Sequence, residues 1–250
     1  MTPDLLLWTL AAALLIGALV GAAGIGGVLL VPWLIHVAGL DVHAAVGLAM
    51  LAFIGPGVTA LFVAWRPGQA APRRGGALVA AAAPGALCGA MALAWVPGEV
   101  ALLVLAVAVL YGVARLPWRA RAAPGGASGA SAVQPPGWKT GGFVGFASAF
   151  TATGGPLVLT PLLLARRMPL REVVAQGQLI QLPIALCATL GHFWQGQVDI
   201  VTGAAIGAVL VPGWLIGQRL APHLPVHWLA RLVGGLMLVA AALLLAKALG

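Results

Sequence analysis

Two short segments rich in glycine and proline interrupt long apolar stretches of the chain, and they are its candidates for binding a solute. The first reads GIGG and is followed by a proline, and the second reads TATGGP. Glycine lets the backbone leave helical geometry, and proline suits the first turn of a following helix. A helix that begins at such a break presents free N–H groups and a partial positive charge, which can bind an anion. The candidate residues are Gly24, Gly26, Gly27, Pro32, Thr151, Thr153, Gly154, Gly155, Pro156 and Pro161.

Polar side chains within the apolar stretches are few. Gln178 and Gln181 are three residues apart, on one face of a helix, and Gln181 is expected near the middle of its segment. Their amides could donate hydrogen bonds to an anion or hold helices together, and the sequence leaves both roles open. Close packing of glycines is the corresponding alternative for the two breaks. We predict a substrate site built from the breaks, with Thr151, Thr153, Gln178 and Gln181 as side-chain donors.

Residues for catalysis, for a metal or for a cofactor form no recognisable pattern. HExxH, GxSxG and P-loop motifs are absent, and Cys88 and Cys187 lie within apolar stretches. The acidic residues all lie at segment ends or in connections, so the sequence lacks the intramembrane carboxylate relay of many proton-coupled transporters. The five histidines also fall near segment ends, where a solvated or interfacial role is expected. The sequence therefore predicts a protein that is not an enzyme and that needs no metal or cofactor.

The composition determines the class of protein to which these residues belong. Hydrophobic residues make up 62% of the 250 residues, charged residues make up 7%, and the mean hydropathy is +1.06. A soluble domain carries about 25% charged residues. This composition excludes a soluble enzyme, a disordered chain and a secreted disulfide scaffold. The net charge of +8 comes from short loops between apolar segments, which favours a role in membrane topology over nucleic-acid binding.

The apolar segments fall into two similar halves. Glycines recur in the second half at one constant spacing, the spacing from Gly17 to Gly145, and this repeat spacing indicates an internal duplication. Each half has a broken hairpin and three segments of about 20 apolar residues, the length of a transmembrane helix. The first half (1–116) has its hairpin at 5–37 and helices at 43–65, 77–96 and 100–116; the second (139–250) has its hairpin at 141–165 and helices at 173–194, 200–217 and 228–249. A linker (117–138) joins them.

The charges predict how the halves are oriented. Twelve of the 13 positive residues lie in the loops 66–76, 115–139, 166–171 and 219–231, whereas the other connections carry acidic residues. The positive-inside rule places these basic loops and the linker in the cytoplasm. Each hairpin then enters and leaves on one side, which makes the halves inverted. We predict an all-α polytopic membrane protein with two inverted repeats, each a re-entrant or half-spanning hairpin plus three transmembrane helices. Eight plain spans in parallel repeats would put basic loops on both faces.

The GIGG-x4-P and TGGP-x4-P elements, with the recurring Gly-Gln and Pro-Gly-x3-Gly patterns, resemble the TauE/SafE sulfite exporter family, also called the toluene sulfonate uptake permease family. The resemblance covers nearly the whole chain. It departs from the family pattern at Val28, where a third consecutive glycine is usual. The resemblance implies transport of sulfur-containing anions or related organic acids, such as sulfite, sulfonates or sulfoacetate.

We therefore expect a secondary transporter or facilitator of small anions in the bacterial inner membrane, exporting by alternating access. The anion is expected at the helix N-termini of the two broken hairpins. Its partners are expected to be a small anionic substrate and the lipid bilayer but no nucleic acid, with a homodimer left open. The alternatives are an anion channel, a proton-coupled permease for organic-acid uptake, and an intramembrane enzyme, for which the sequence offers no catalytic cluster.

Overall fold

The residues that the structure describes form helices joined by short connections, with no strand among them. A computed structural model describes residues 3–24, 26–64, 76–121, 137–166, 168 and 170–249. Its α-helices are α1 (Pro3–Ala23), α2 (Leu30–His36), α3 (Val42–Ala64), α4 (Gly76–Leu93), α5 (Gly98–Arg121), α6 (Trp138–Phe150), α7 (Pro156–Ala165), α8 (Leu170–Trp194), α9 (Ile200–Leu220) and α10 (Val226–Leu249). The predicted all-α class is confirmed. Helix α5 continues into the predicted linker as far as Arg121, and residues 122–136 of that linker lie outside the described ranges.

Several of these helices are suited to a bilayer. Five described stretches are long and apolar enough to cross a membrane, namely Asp4–Ala23, Val42–Val63, Gly76–Leu93, Ile200–His223 and Arg231–Leu249. Their large apolar side chains also point outward: Leu7 is 68% exposed, Phe62 71% and Val239 59%. Helices that are apolar on all sides belong in lipid rather than in water. The chain is therefore a multi-pass membrane protein.

Helices from the two halves pack against each other in matching pairs. Helix α1 packs on α9, and α4 packs on α6. A Cβ atom added at Gly17 would lie 2.6 Å from the carbonyl oxygen of Leu210, and one added at the matching Gly145 would fall on the carbonyl oxygen of Ala82. These glycines allow two helix backbones to touch, as small residues do in membrane proteins.

A second set of matched glycines repeats this arrangement. A Cβ atom at Gly213 would fall on the carbonyl oxygen of Leu14, and one at Gly85 would fall on the carbonyl oxygen of Gly142. The partners in each half are again related by the repeat spacing. Contacts made by one half are thus repeated by the other, which supports the internal duplication.

The equivalent helices α3 and α8 run antiparallel to each other. A Cβ atom at Gly47 would lie 3.2 Å from Cβ of His192, whereas one at Gly57 would lie 3.0 Å from Cα of Leu182. Residue numbers therefore rise along α3 while they fall along α8. Antiparallel packing of equivalent helices is expected of an inverted duplication. The orientation of the halves in a membrane remains a prediction.

The three acidic connections lie at one end of the molecule. His43, at the start of α3, approaches the carbonyl oxygen of Val96 with its Nε2 atom at 3.1 Å. The carbonyl oxygen of Gln197 lies against Gly47, in the second turn of α3. The connections that carry Asp41, Glu99 and Asp199 are therefore neighbours, and we call this the acidic end.

Both ends of the second hairpin lie at the opposite end. Arg166, just after α7, donates a hydrogen bond from Nη2 to Oγ1 of Thr140, near the start of α6, at 3.1 Å. A Cβ atom at Gly141 would touch the backbone of Leu78, near the start of α4, a helix that finishes at the acidic end. The hairpin of α6 and α7 thus enters and leaves at the same end of the molecule.

Candidate functional site

The second break is a buried stretch of irregular backbone between α6 and α7. Residues 151–157 are all buried. Ala152, Gly154 and Gly155 have φ angles of 48°, 72° and 99°, a region that glycine adopts without a steric cost. Pro156 then occupies the first position of α7, as predicted. Irregular backbone at membrane depth must be enclosed by protein or line a wet cavity, and here protein encloses it.

The first break is built differently. Gly24 has a φ of 71° and donates its N–H to the carbonyl oxygen of Val20 at 2.7 Å, so it acts as the C-cap of α1. A 3-10 turn at Gly26–Leu29 then leads into α2. Pro32 lies within the first turn of α2 and Pro161 lies inside α7, so neither residue interrupts its helix. Among the three candidate prolines, only Pro156 stands at a break.

The two breaks meet at the side chain of Phe53. A Cβ atom added at Gly27 would lie 2.9 Å from Cζ of Phe53, and one added at Gly154 would lie 3.9 Å from its Cδ2. Phe53 is 1% exposed and is the twelfth of the 23 residues of α3. At 1.5 Å per residue, it lies about 16 Å from either end of that helix. The structure therefore brings Gly27 and Gly154 together around one aromatic ring at mid-depth.

Helix α8 covers another side of the second break. A Cβ atom at Gly155 would lie 3.0 Å from Cγ2 of Ile180 and 3.1 Å from Cδ1 of Ile184. Gln181 follows Ile180 in the same turn and is 4% exposed. By the repeat spacing, Gln181 occupies in α8 the position that Phe53 occupies in α3. An amide thus replaces the aromatic ring in the second half.

The threonines of the second break are linked to each other. The Thr151 hydroxyl donates to the carbonyl oxygen of Ala147 at 2.6 Å, and its oxygen lies 3.2 Å from Oγ1 of Thr153. Because Thr151 has already used its single proton, Thr153 holds the hydroxyl proton that can turn toward an anion. The amide N–H of Thr153 donates to the carbonyl oxygen of Ser148 at 3.1 Å.

The start of α7 supplies backbone donors. The N–H of Leu159 makes an early helical bond, to the carbonyl oxygen of Gly155 at 3.0 Å. The N–H groups of Leu157 and Val158 precede it in the helix, where the helical pattern offers no carbonyl partner. These donors and the helix dipole favour an anion without a buried cation. Helix α7 has 10 residues and α2 has 7, so the second break carries the stronger helix terminus.

Sequence reasoning missed some residues of this region. Phe53 was not singled out, although its match to Gln181 across the two halves is a signal that could have identified it. Ser148 is fully buried, and its Oγ has no hydrogen-bond partner among the described residues. His192 is also fully buried, which corrects the expected solvated or interfacial role, because the end of α8 packs against Gly47 of α3.

Comparison with known proteins identifies the family. A family profile described as "Sulfite exporter TauE/SafE" matches residues 9–244, which include both breaks and Phe53. No curated protein and no solved structure matches the chain. The family is one of membrane transporters, in agreement with the apolar helices. The chain belongs to the TauE/SafE sulfite exporter family.

Proposed function

We propose that this protein is a secondary transporter that exports small sulfur-containing or organic anions, such as sulfite, sulfonates or sulfoacetate, across the bacterial inner membrane. The anion binds between the two hairpin breaks, and alternating access exposes it to one face at a time. Gly26, Gly27, Gly154 and Gly155 shape the backbone there, with Thr153 and Gln181 as side-chain donors. Thr151 supports Thr153 from the same break, and Gln178 supports Gln181 from the same helix.

The meeting of the two breaks at Phe53 carries this proposal. The first turn of α7, whose N–H groups have no helical carbonyl partner, follows the buried Thr153 in the chain. The buried Gln181 is next to Ile180, whose side chain lies against Gly155, and none of the residues described as buried in this region is charged. Neutral donors and a helix dipole can bind an anion reversibly, because no oppositely charged side chain binds it permanently.

The proposal is tested by flux and binding in proteoliposomes and detergent. Wild-type protein should carry sulfite or sulfoacetate and be stabilised by one of them against heat. Gln181→Leu and Thr153→Val should each weaken binding by about 1–2 kcal/mol, or roughly five- to thirtyfold, because each removes a hydrogen bond to a charged ligand.

Thr59→Val is the matched control. The Thr59 hydroxyl donates to the carbonyl oxygen of Gly55 in its own helix at 2.9 Å, so its loss should leave affinity unchanged. Unchanged affinity in Gln181→Leu and Thr153→Val, with normal folding, would contradict the site. Flux that rises linearly with concentration and never saturates would indicate a channel instead.

A further inference from the structure

A stripe of polar residues runs along one side of α8 and extends beyond the candidate site. It consists of Gln178, Gln181, Thr189, His192 and, just after the helix, Gln195. At about 100° per residue these positions fall within roughly one third of the helix circumference. Gln178 and Gln181 lie beside the hairpin breaks, and the other three continue toward the acidic end. We call these five residues the polar stripe.

The polar stripe faces the seam between α8 and its neighbours. On one side, Leu182 packs against Gly57 of α3. On the other side, Gly191 packs against Ala90 of α4, and Nε2 of Gln195 donates to the carbonyl oxygen of Ala90 at 3.2 Å. The stripe therefore lies inside the molecule, between α3 and α4, and not toward the surrounding lipid.

Most of the polar atoms on this stripe are buried without a partner. Among the described residues, no hydrogen bond reaches Oε1 of Gln178, Oγ1 of Thr189, either ring nitrogen of His192 or Oε1 of Gln195. His192 is 0% exposed. Side chains that serve only to hold helices together would be bonded across the seam. A buried polar atom without a partner costs free energy that water or a polar solute recovers when the seam opens.

The equivalent stripe on α3 is apolar. The positions that match Gln178, Gln181, Thr189 and His192 by the repeat spacing are Met50, Phe53, Leu61 and Ala64. The duplicated fold alone therefore does not require polar residues on this face. Polar side chains of α8 thus extend from the breaks toward the acidic end. The matching positions of α3 extend from Phe53 toward the opposite end of the molecule and are apolar.

We propose that the polar stripe lines the route by which the transported anion and its water pass between the hairpin breaks and the acidic end, opened when α8 separates from α3 and α4. This inference rests on the proposed function, since it supplies one half of the transport path. Thr189 and His192 are lining residues of that route, and Phe53 closes the path on its other side.

Cysteine accessibility tests the route. Thr189→Cys and His192→Cys are made in a background that lacks Cys88 and Cys187, and cells or proteoliposomes are treated with an impermeant, negatively charged methanethiosulfonate. Leu190→Cys is the control at the same depth, because Leu190 is 52% exposed on the outer surface of the helix bundle. The thiolate of the cysteine attacks the reagent, and this thiolate forms in water and not in lipid.

Positions 189 and 192 should be modified at least about tenfold faster than position 190, since only water-exposed thiols ionise, and modification at 189 should abolish anion flux. Modification no faster than at position 190, in a wild-type protein that carries flux, would overturn the route while leaving the transport function intact. Rapid modification that does not change flux would also overturn it. A wild-type protein without flux would instead count against the proposed function, whatever the labelling shows.

Discussion

Phe53 and Gln181 stand at matched positions of the two halves, yet they differ in what they offer a ligand. Phe53 is an apolar ring in contact with both breaks, and Gln181 is a buried amide beside the second break. A strictly symmetric site would have two rings or two amides. The difference gives the centre of the molecule one polar and one apolar side, so the proposed site would bind an anion mainly through the second half.

The space for Phe53 depends on a missing side chain at Gly27. Gly27→Ala would place Cβ 2.9 Å from Cζ of Phe53, so the ring would have to move. We expect this substitution to lower stability by about 1–3 kcal/mol, as overpacking does. Adding Phe53→Leu should recover most of the loss, and a double-mutant cycle of thermal unfolding in detergent measures the coupling. Purely additive effects would mean that the two residues do not contact each other.

At the scale of elements, α2 is a short helix that is held in place at its C-terminus. His36 approaches the carbonyl oxygen of Pro32 with Nδ1 and that of Leu243 in α10 with Nε2, each at 3.0 Å. Lys247 donates to the carbonyl oxygen of Ile35 at 3.4 Å. A cation at a helix C-terminus is favourable because of the helix dipole. This explains why Lys247 is the one positive residue outside the four basic loops.

Asp199 begins α9 as its N-cap and gives a prediction with a pH dependence. Its carboxylate accepts hydrogen bonds from Oγ1 of Thr202 at 2.6 Å and from the N–H groups of Thr202 and Val201 at 3.2 and 3.0 Å. The bond from the Thr202 hydroxyl, followed by the backbone bonds, lowers the pKa of Asp199. The folded state thus prefers the carboxylate, so this stabilisation is present above the unfolded pKa and is lost as the pH falls through the lower, folded pKa.

We expect Asp199→Ala to cost about 0.5–2 kcal/mol at pH 7, the usual value of an N-cap. The difference from wild type should shrink as the pH falls below about 4, the usual pKa of an aspartate in the unfolded chain, and toward the lower pKa of the folded state, where the carboxylate takes up its proton. Asp199→Asn retains the cap and should lose less stability. Thermal unfolding in detergent at pH 7 and pH 3 checks this, and an equal cost of Asp199→Ala at both values would show that the carboxylate is not responsible.

The sequence was informative about helices and breaks because apolar length, glycine and proline act locally. The α class, Pro156 at the start of α7 and the position of Gln181 in the middle of α8 all followed from such signals. Contacts between distant parts could not be predicted, since nothing local to Phe53 indicates that two breaks converge on it. The burial of His192 was missed for the same reason, because it depends on the missing side chain at Gly47 of another helix.

At the scale of the whole molecule, the charges are separated between two ends. Asp41, Glu99 and Asp199 belong to connections at the acidic end, and Arg166 contacts Thr140 at the opposite end. The positive-inside rule then predicts an orientation with the acidic end outside the cytoplasm. In this orientation, the polar stripe of α8 would lead from the hairpin breaks to the side of the membrane outside the cytoplasm.

Labelling of single cysteines tests this orientation. In a background lacking Cys88 and Cys187, an impermeant maleimide added to intact cells should label Trp95→Cys, because Trp95 is 89% exposed at the acidic end. Lys139→Cys, exposed at the opposite end, should be labelled only after the cells are opened. Labelling of Lys139→Cys from outside would contradict both the orientation and the inverted arrangement of the halves.

The direction of transport depends on what moves with the anion. Every Asp and Glu of the sequence lies at a helix end or in a connection: Asp4 and Glu99 are second in α1 and α5, Glu172 is third in α8, and Asp41 and Asp199 precede α3 and α9. No carboxylate is therefore placed to carry a proton through the membrane with the substrate. An anion transported as proposed would then cross with its own charge, and the membrane potential would act on it directly.

We predict electrogenic export. One charge crossing 100 mV is worth about 2.3 kcal/mol, so an inside-negative membrane can sustain an outward gradient of a monoanion of roughly fiftyfold. In proteoliposomes with a potential set by potassium and valinomycin, efflux of sulfite or sulfoacetate should accelerate as the interior becomes more negative and should slow when the potential is reversed. A divalent anion should respond about twice as strongly. If flux instead ignores the potential and follows an imposed pH gradient, transport is proton-coupled, and His43 or Asp199 at the acidic end becomes the group to substitute first.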